Sequence, residues 1–280
     1  MKYKTPKTVF SILNIINSII KLFLVFIMAF PFFWMISTAF KTVKEAIAFP
    51  PTLFPHTLEW GNFSHVIQTV PIFIYTRNSI IVALMVLLLQ YLIIVPAAYS
   101  LARYEYKGKK IVFAIVLMGM MIPQQITFVP VYMMFSKAHM LNSYWPLTLP
   151  FVANSFGIFM LRQYFMQIPG EVIEAAKLDN ASSIKIMYKI MIPMARPALL
   201  TIGLLSFISN WNSYFWPLIM TTNEASRTLP VGIATLKSQE TVQMWNYIMA
   251  GNVLLVIPII IVYIFANKRI RNSFVYSGIK

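Results

Sequence analysis

The sequence predicts an all-α integral membrane protein with six transmembrane helices. Three observations lead there: too few charges for a water-soluble chain, six long charge-free intervals, and basic residues gathered into alternate loops. Hydrophobic residues make up 59% of the 280 and charged residues 11%, with a mean hydropathy of +0.70. A soluble domain carries roughly a quarter charged residues, so these charges cannot cover a water-soluble globule of this size. Lipid must be the solvent for most of the surface.

The charge-free intervals run Leu22–Phe40, Asn78–Ala102, Ile111–Ser136, Ala138–Leu161, Pro197–Asn223 and Thr241–Asn267. Each reaches the roughly 17–25 residues that cross a ~30 Å hydrocarbon core. At that length only helices satisfy their own backbone hydrogen bonds in lipid. Before the first interval, Met1–Lys7 is basic and superficially like the start of a signal peptide. The apolar run that follows is too long for one, and five more come after it, so it reads as an uncleaved anchor. The stretch Thr8–Ile20, carrying Asn14, Asn17 and Ser18, either lies in the interface or extends the first span, with Lys21 snorkelling to the headgroups. The organisation expected is an N-terminal segment 1–21, a transmembrane domain 22–267 with a long loop at 166–196, and a tail 268–280. Pro96, Pro123, Pro130, Pro146, Pro150, Pro217 and Pro258 interrupt the spans and are candidates for kinks.

Net charge is +15, from 23 basic and 8 acidic residues. With the N-terminus inside, sixteen of the basic residues fall in inner segments, and Lys41, Lys44, Lys137, Arg227 and Lys237 fall outside, with Arg77 near a span end. That asymmetry sets orientation, both termini in the cytoplasm. The excess charge marks topology and anionic lipid, not nucleic acid. There is no cysteine, which excludes disulfides and thiolate chemistry, and the three histidines (His56, His65, His139) are too scattered to suggest a metal cluster. No Asp or Glu falls inside any interval. An intramembrane enzyme lacks its catalytic groups here, and an ion-coupled carrier lacks the ionisable residues that usually bind the coupling ion at membrane depth. Sodium bound by backbone carbonyls keeps the carrier open as an alternative.

Between the fourth and fifth intervals lies Ile168–Pro193. Pro169 cannot continue the preceding helix, and Glu171 and Glu174 favour the positive end of a new one. Asn180 is suited to the left-handed turn that ends it, and Ser182 or Ser183 to capping the next. In that second helix Ile184, Met187 and Met191 fall on one face and Lys185 and Lys189 on another, a pattern that would rest on a membrane surface.

This stretch resembles the signature loop of ATP-binding-cassette importer permeases: Glu-Ala-Ala, three residues, Gly, nine residues, Ile-x-Leu-Pro. Here Glu174-Ala175-Ala176 is followed after three residues by Asn180 and after nine more by Ile190-Met191-Ile192-Pro193. Asn180 stands where the family has Gly and Ile192 where it has Leu. Asn tolerates positive φ next best after Gly, so the turn should survive. The resemblance implies a type I importer permease fold, and a loop that docks on a separate ATPase through Glu171, Glu174, Ala175, Ala176, Asp179, Asn180, Ile190 and Pro193. The chain has no G-x-x-x-x-G-K-[ST] phosphate loop. The resemblance therefore implies no cofactor on this chain, with ATP and magnesium on two partner ATPase subunits. It further implies a second, homologous permease subunit and an extracytoplasmic solute-binding protein, in a bacterial cell membrane.

Further elements look like the carbohydrate (maltose and multiple-sugar) branch: Phe49-Pro50-Pro51, Asn78-Ser79, Ala97 to Arg103, Met121-Ile122-Pro123, Leu161 to Phe165, and Trp211-Asn212 with Pro217-Leu218. The fifth interval carries Ser209 to Trp216, unusually polar and aromatic for a lipid-embedded helix. Asn210, Asn212 and Tyr214 are candidates for the sugar path, with Gln124, Gln125 and Tyr132 in the third interval. The alternatives are an aromatic interface belt and asparagines that join helices. A permease for glycerol phosphate would call for Arg or Lys in the path, where only edge residues such as Arg77 are available. The resemblance implies that the outer segments 41–76 and 221–241 meet the binding protein and that 221–241 reaches towards its cleft, with a plain connector as the alternative for 221–241. The Gly278-to-Lys280 terminus resembles one that contacts the ATPases.

Overall fold

The computed structural model describes residues 7–237 and 244–275, with side chains described over 14–237 and 244–265. All regular structure among these residues is helical. The first helix, α1 (Lys7–Ala39), runs unbroken through Thr8–Ile20, so that stretch extends the first span. After α2 (Val43–Ala46) and α3 (Gly61–Thr69) comes α4 (Ile72–Arg103), which passes Pro96 without a break. The sharp turn at Gly108, with φ of 86°, starts α5 (Lys109–Met121), and α6 (Gln124–Lys137) follows. A short α7 (Trp145–Thr148) and a 3₁₀ turn (Leu149–Phe151) lead to α8 (Ser155–Gln167). Next are α9 (Gly170–Leu178), α10 (Ser183–Ile186), a π-helical segment (Met187–Met191) and α11 (Ile192–Met194). The chain continues with α12 (Arg196–Trp211), α13 (Phe215–Met220), α14 (Leu229–Thr235) and α15 (Trp245–Val275).

The six apolar intervals do not become six straight helices. Three helices among the described residues are long and apolar enough to cross a membrane alone: Asn14–Ala39, Ile72–Arg103 and Trp245–Phe265. Two more crossings exist if each bent pair is one span, Lys109–Met121 with Gln124–Lys137 at 96° and Ser183–Met194 with Arg196–Trp211 at 77°. The first break has a local cause. Pro123 disfavours the helical region for the residue before it, and Ile122 is extended at φ −81°, ψ 115°. The interval Ala138–Leu161 is not one helix either. His139 and Asn142 adopt positive φ, and Pro146 and Pro150 each sit in the first turn of a new short helix. Asn154 then caps α8 by accepting from Gly157 N at 2.9 Å. The fifth interval divides at Asn212–Ser213, between α12 and α13.

The chain forms two units, residues 1–70 with 233–254, and 71–232 with 255–280. In the first, Asn62 donates from Nδ2 to the carbonyls of Ala39 (2.8 Å) and Lys41 (2.9 Å), closing the end of α1, and Asn246 donates to Asn62 Oδ1 at 3.0 Å. In the second, α4, α8 and α12 pack around Ile94, Ala98, Leu161, Phe165, Met191 and Ile202. Close approach of membrane helices needs small residues. A Cβ added at Gly157 would meet Ile94 Cδ1 at 2.7 Å, and one at Gly203 would meet Tyr91 Oη at 2.2 Å. That hydroxyl donates to Leu199 O at 2.7 Å. Gly203→Ala should therefore displace Tyr91 and cost about 1–3 kcal/mol. Adding Tyr91→Phe should recover part of the loss, as read by thermal unfolding in detergent.

Candidate functional site

Two features stand out in the second unit, an exposed helical hairpin and an uncharged polar cavity. The hairpin is residues 166–196. Ile168 and Pro169 are extended, so α8 stops and α9 starts in a new direction. Asn180 takes φ of 52°, the left-handed conformation expected of it. Ala181 N then reaches back to Ala176 O at 3.0 Å, which closes the end of α9. Ser182, rather than Ser183, caps the next helix by accepting from Lys185 N.

Glu171, Glu174, Ala175, Asp179 and Asn180 all lie on the exposed side of α9, with Ile190 and Pro193 half-buried behind them. Ala176 is buried with Ile173 in this chain's own core, so its small size serves internal packing. The second helix departs from the expected face. Ile186, Met187 and Met191 are buried, whereas Ile184 is 68% exposed. The π-helical winding of Met187–Met191 adds Ile186 to the buried face of Met187 and Met191. Bonding from i to i+5 brings residues five apart, such as Ile186 and Met191, onto one face. The outward face therefore joins Ile184, Tyr188 and Leu178 (84% exposed) to the carboxylates of Glu171, Glu174 and Asp179. Leu178 and Tyr188 were missed at sequence level; a Leu directly before the Asp179-Asn180 turn was the available signal.

The root of the hairpin is fixed by two arginines. Arg103 at the end of α4 donates through one Nη to the carbonyls of Phe165 and Ile168 at the end of α8. Reciprocally, Arg162 of α8 donates from Nε to Leu101 O at 3.1 Å and covers the Phe113 ring at 4.0 Å. Nearby, the Lys109 ammonium, 2.8 Å from Glu105, holds that carboxyl below its ordinary pKa.

The cavity encloses about 460 Å³ between α4, α5, the 150–156 segment and α12. It brings together Gln124 and Asn210 with Gln90, Asn154, Ser155, Ser206 and Ser209, and no charged residue lines it. A hydrogen-bonded chain fixes its wall: Asn210 Nδ2 to Ser206 O (2.8 Å), Ser206 Oγ to Gln90 Oε1 (2.7 Å), and Gln90 Nε2 to Phe151 O (2.7 Å). Gln90 is buried. Sequence reading overlooked it, although an amide in the middle of an apolar span is itself a signal. The other four candidates lie elsewhere. Asn212 and Tyr214 are exposed beyond the end of α12, Gln125 is exposed on α6, and Tyr132 packs against Phe128.

Residues 94–275 match the family model of the binding-protein-dependent transport system inner membrane component. The chain belongs to this family. Among relatives, the trehalose/maltose transport system permease protein MalG of Thermococcus litoralis is 33% identical over 96% of both chains. The arabinooligosaccharides transport system permease protein AraQ of Halalkalibacterium halodurans is 30% identical over 92% of this chain and 93% of its own. The fold matches a chain of a bacterial ABC transporter involved in the import of the acidic polysaccharide alginate. The TM-score is 0.82 and the identity 24%, over 96% of this chain and 99% of that one. The permease is thus an inner membrane component of a binding-protein-dependent transport system, with the fold of an ABC importer permease.

Proposed function

We propose that this permease forms half of the translocation path of an ATP-driven importer for neutral oligosaccharides. A second, homologous permease supplies the other half. Two ATPase subunits holding ATP and magnesium dock on the 166–196 hairpin from the cytoplasm, where both termini of this chain also lie. A solute-binding protein delivers sugar from outside. The single observation that carries the substrate reading is the cavity wall of amides and hydroxyls without a charge. Such groups replace the water around sugar hydroxyls, whereas a carboxylate, sulfonate or phosphate would require Arg or Lys there. The similarity of this chain to the MalG and AraQ permeases supports the same class of solute.

Helices α8 and α12 connect the two features. The first begins at the cavity with Asn154–Ser155 and ends at the hairpin; the second begins at the hairpin and reaches the cavity with Ser206–Asn210. They have 13 and 16 residues, about 20 and 24 Å at 1.5 Å per residue. Ile173, Ala176, Met187 and Met191 pack the hairpin into the same core as α4, α8 and α12. A displacement imposed on the hairpin is therefore borne by helices that line the cavity. Directional transport requires that this displacement change the affinity for sugar, since equal affinity in both states shifts nothing.

Uptake by the reconstituted complex tests the assignment. Asn210→Ala and Gln124→Ala should each raise KM about fivefold to tenfold with kcat little changed, the loss of about one hydrogen bond. Unchanged KM for every neutral oligosaccharide tried, or better uptake of an acidic one, removes the substrate reading. Gln90→Leu has a structural effect instead, because it removes the side chain that joins buried Ser206 Oγ to the half-buried Phe151 O. It should cost about 1–3 kcal/mol in thermal unfolding.

A further inference from the structure

Residues 40–60 form a loop folded inside out. Its polar groups turn inward. Lys41 is 1% exposed, donates from Nζ to Thr52 O, and lies 4.3 Å from the centre of the Trp34 ring. The Glu45 carboxylate accepts from Thr52 Oγ1 at 3.2 Å and His56 N at 3.0 Å, and Ser37 of α1 donates to Leu53 O. Burial pushes the pKa of the Lys41 ammonium down from its ordinary value, and Glu45 pulls it back up. The apolar side chains turn outward: Phe49 is 95% exposed, Phe54 68% and Trp60 67%, with Leu53 and Leu58 also exposed. A loop facing water keeps contiguous apolar surface small, and a patch of this kind marks a partner or a membrane.

The outward face is continuous with an exposed apolar side of α1. The Phe33 and Phe54 rings stand edge to face with centroids 5.4 Å apart, and Phe33 continues a ring ladder with Phe30 and Phe26. Phe33 precedes the end of α1 at Ala39 by six residues, so Phe54 reaches back about 9 Å along the helix. The apolar window of that helix has none of its residues buried within the chain.

We propose that the 47–60 segment is an interfacial anchor whose partner is lipid. Phe49, Phe54, Leu58 and Trp60 enter the boundary between headgroups and acyl chains beside the first span, while Lys44 and the exposed His56 ring stay at headgroup level. Trp60 suits that depth because its indole joins an apolar body to a polar N–H, and the apolar Phe and Leu side chains gain by leaving water for the acyl boundary. Turning the polar groups inward is what a loop at that depth requires, since unpaired donors and acceptors are costly away from water. The proposal depends on α1 spanning the bilayer and is independent of the transported solute.

The absence of cysteine in this chain allows a direct test. Nitroxides are attached at Phe49→Cys, Phe54→Cys and Leu58→Cys, with Lys44→Cys as the aqueous control. The whole complex is reconstituted in phosphatidylcholine–phosphatidylglycerol vesicles, and signal from the unsubstituted complex is subtracted. At positions 49, 54 and 58, collision with oxygen should exceed collision with a water-soluble nickel chelate severalfold, and the ratio should reverse at 44. Equal access of the nickel chelate to all four positions overturns the proposal, because the face is then in water. Exclusion of both reagents, or protection that appears only on adding solute-binding protein, overturns it in favour of a protein partner.

Discussion

Glu174→Lys should abolish ATP-driven uptake while the permease still inserts and accumulates in the membrane. Glu174 is exposed on α9 beside Glu171 and Asp179, on the side away from Ile173 and Ala176, which hold the helix in its own core. Reversing this charge leaves the core intact. At the docking site of a partner, placing a charge against its like costs several kcal/mol, enough to weaken association by two orders of magnitude or more. Uptake and the amount of co-purified ATPase should fall together, with unchanged membrane content by immunoblot. Wild-type uptake by this variant would remove the docking assignment. Ala176→Leu provides the contrast. Because Ala176 is buried, the larger side chain should destabilise the permease itself by about 1–3 kcal/mol through overpacking.

Arg103→Met should separate ATP hydrolysis from transport. The guanidinium joins the end of α4 to the last carbonyls of α8, at the point where the chain turns into α9. Hydrogen bonds from a charged donor contribute about 1.5–3 kcal/mol each, and methionine supplies none. With that joint loosened, motion of the hairpin no longer moves α4 and α8 together. Uptake should fall at least tenfold, while the ATPase subunits keep hydrolysing ATP but lose their response to loaded binding protein. Arg103→Lys should restore coupling only in part, because an ammonium can also donate to two carbonyls but sits on a stem that does not place it where this Nη lies. Stimulated hydrolysis and full uptake in Arg103→Met would show that the joint carries no load.

The sequence made the membrane class, the apolar intervals and the two-helix hairpin legible, because these rest on strong local signals. Burial of so many apolar residues without charges has one solvent that suits it, and Asn180 followed by Ser182 is turn chemistry with a definite geometry. Helix continuity was not legible. Pro96 sits inside an unbroken α4, whereas Pro123 stands at a 96° bend, and both look alike in an apolar run. Both prolines are exposed, so burial does not separate the two cases; what differs is the backbone of the preceding residue, which stays helical before Pro96 and is extended at Ile122. Within Ala138–Leu161 the positive-φ residues His139 and Asn142 end one helix before Pro146 starts another, a turn that hydropathy alone conceals.

Of the six candidate path residues, two line the cavity. Gln124 and Asn210 meet in the cavity because α5 and α6 bend and α12 ends there, while Asn212 and Tyr214 fall beyond that end. Two residues of sequence separated a cavity wall from an exposed turn. On the second hairpin helix Met187 and Met191 are buried together as their spacing implies, Ile184 is exposed, and the π-helical turn adds Ile186 to the buried face.

The central claim is that the exposed face of the 166–196 hairpin is the handle by which a separate ATPase drives the bundle. It is tested most directly by cross-linking. With Ala175→Cys as the sole thiol of this chain, a maleimide–benzophenone reagent attached there and photolysed in inverted membrane vesicles should join the permease to the ATPase subunit, and the yield should change when ATP is bound. Labelling of that same thiol by a membrane-impermeant reagent added outside intact cells, with no cross-link to an ATPase, would contradict it.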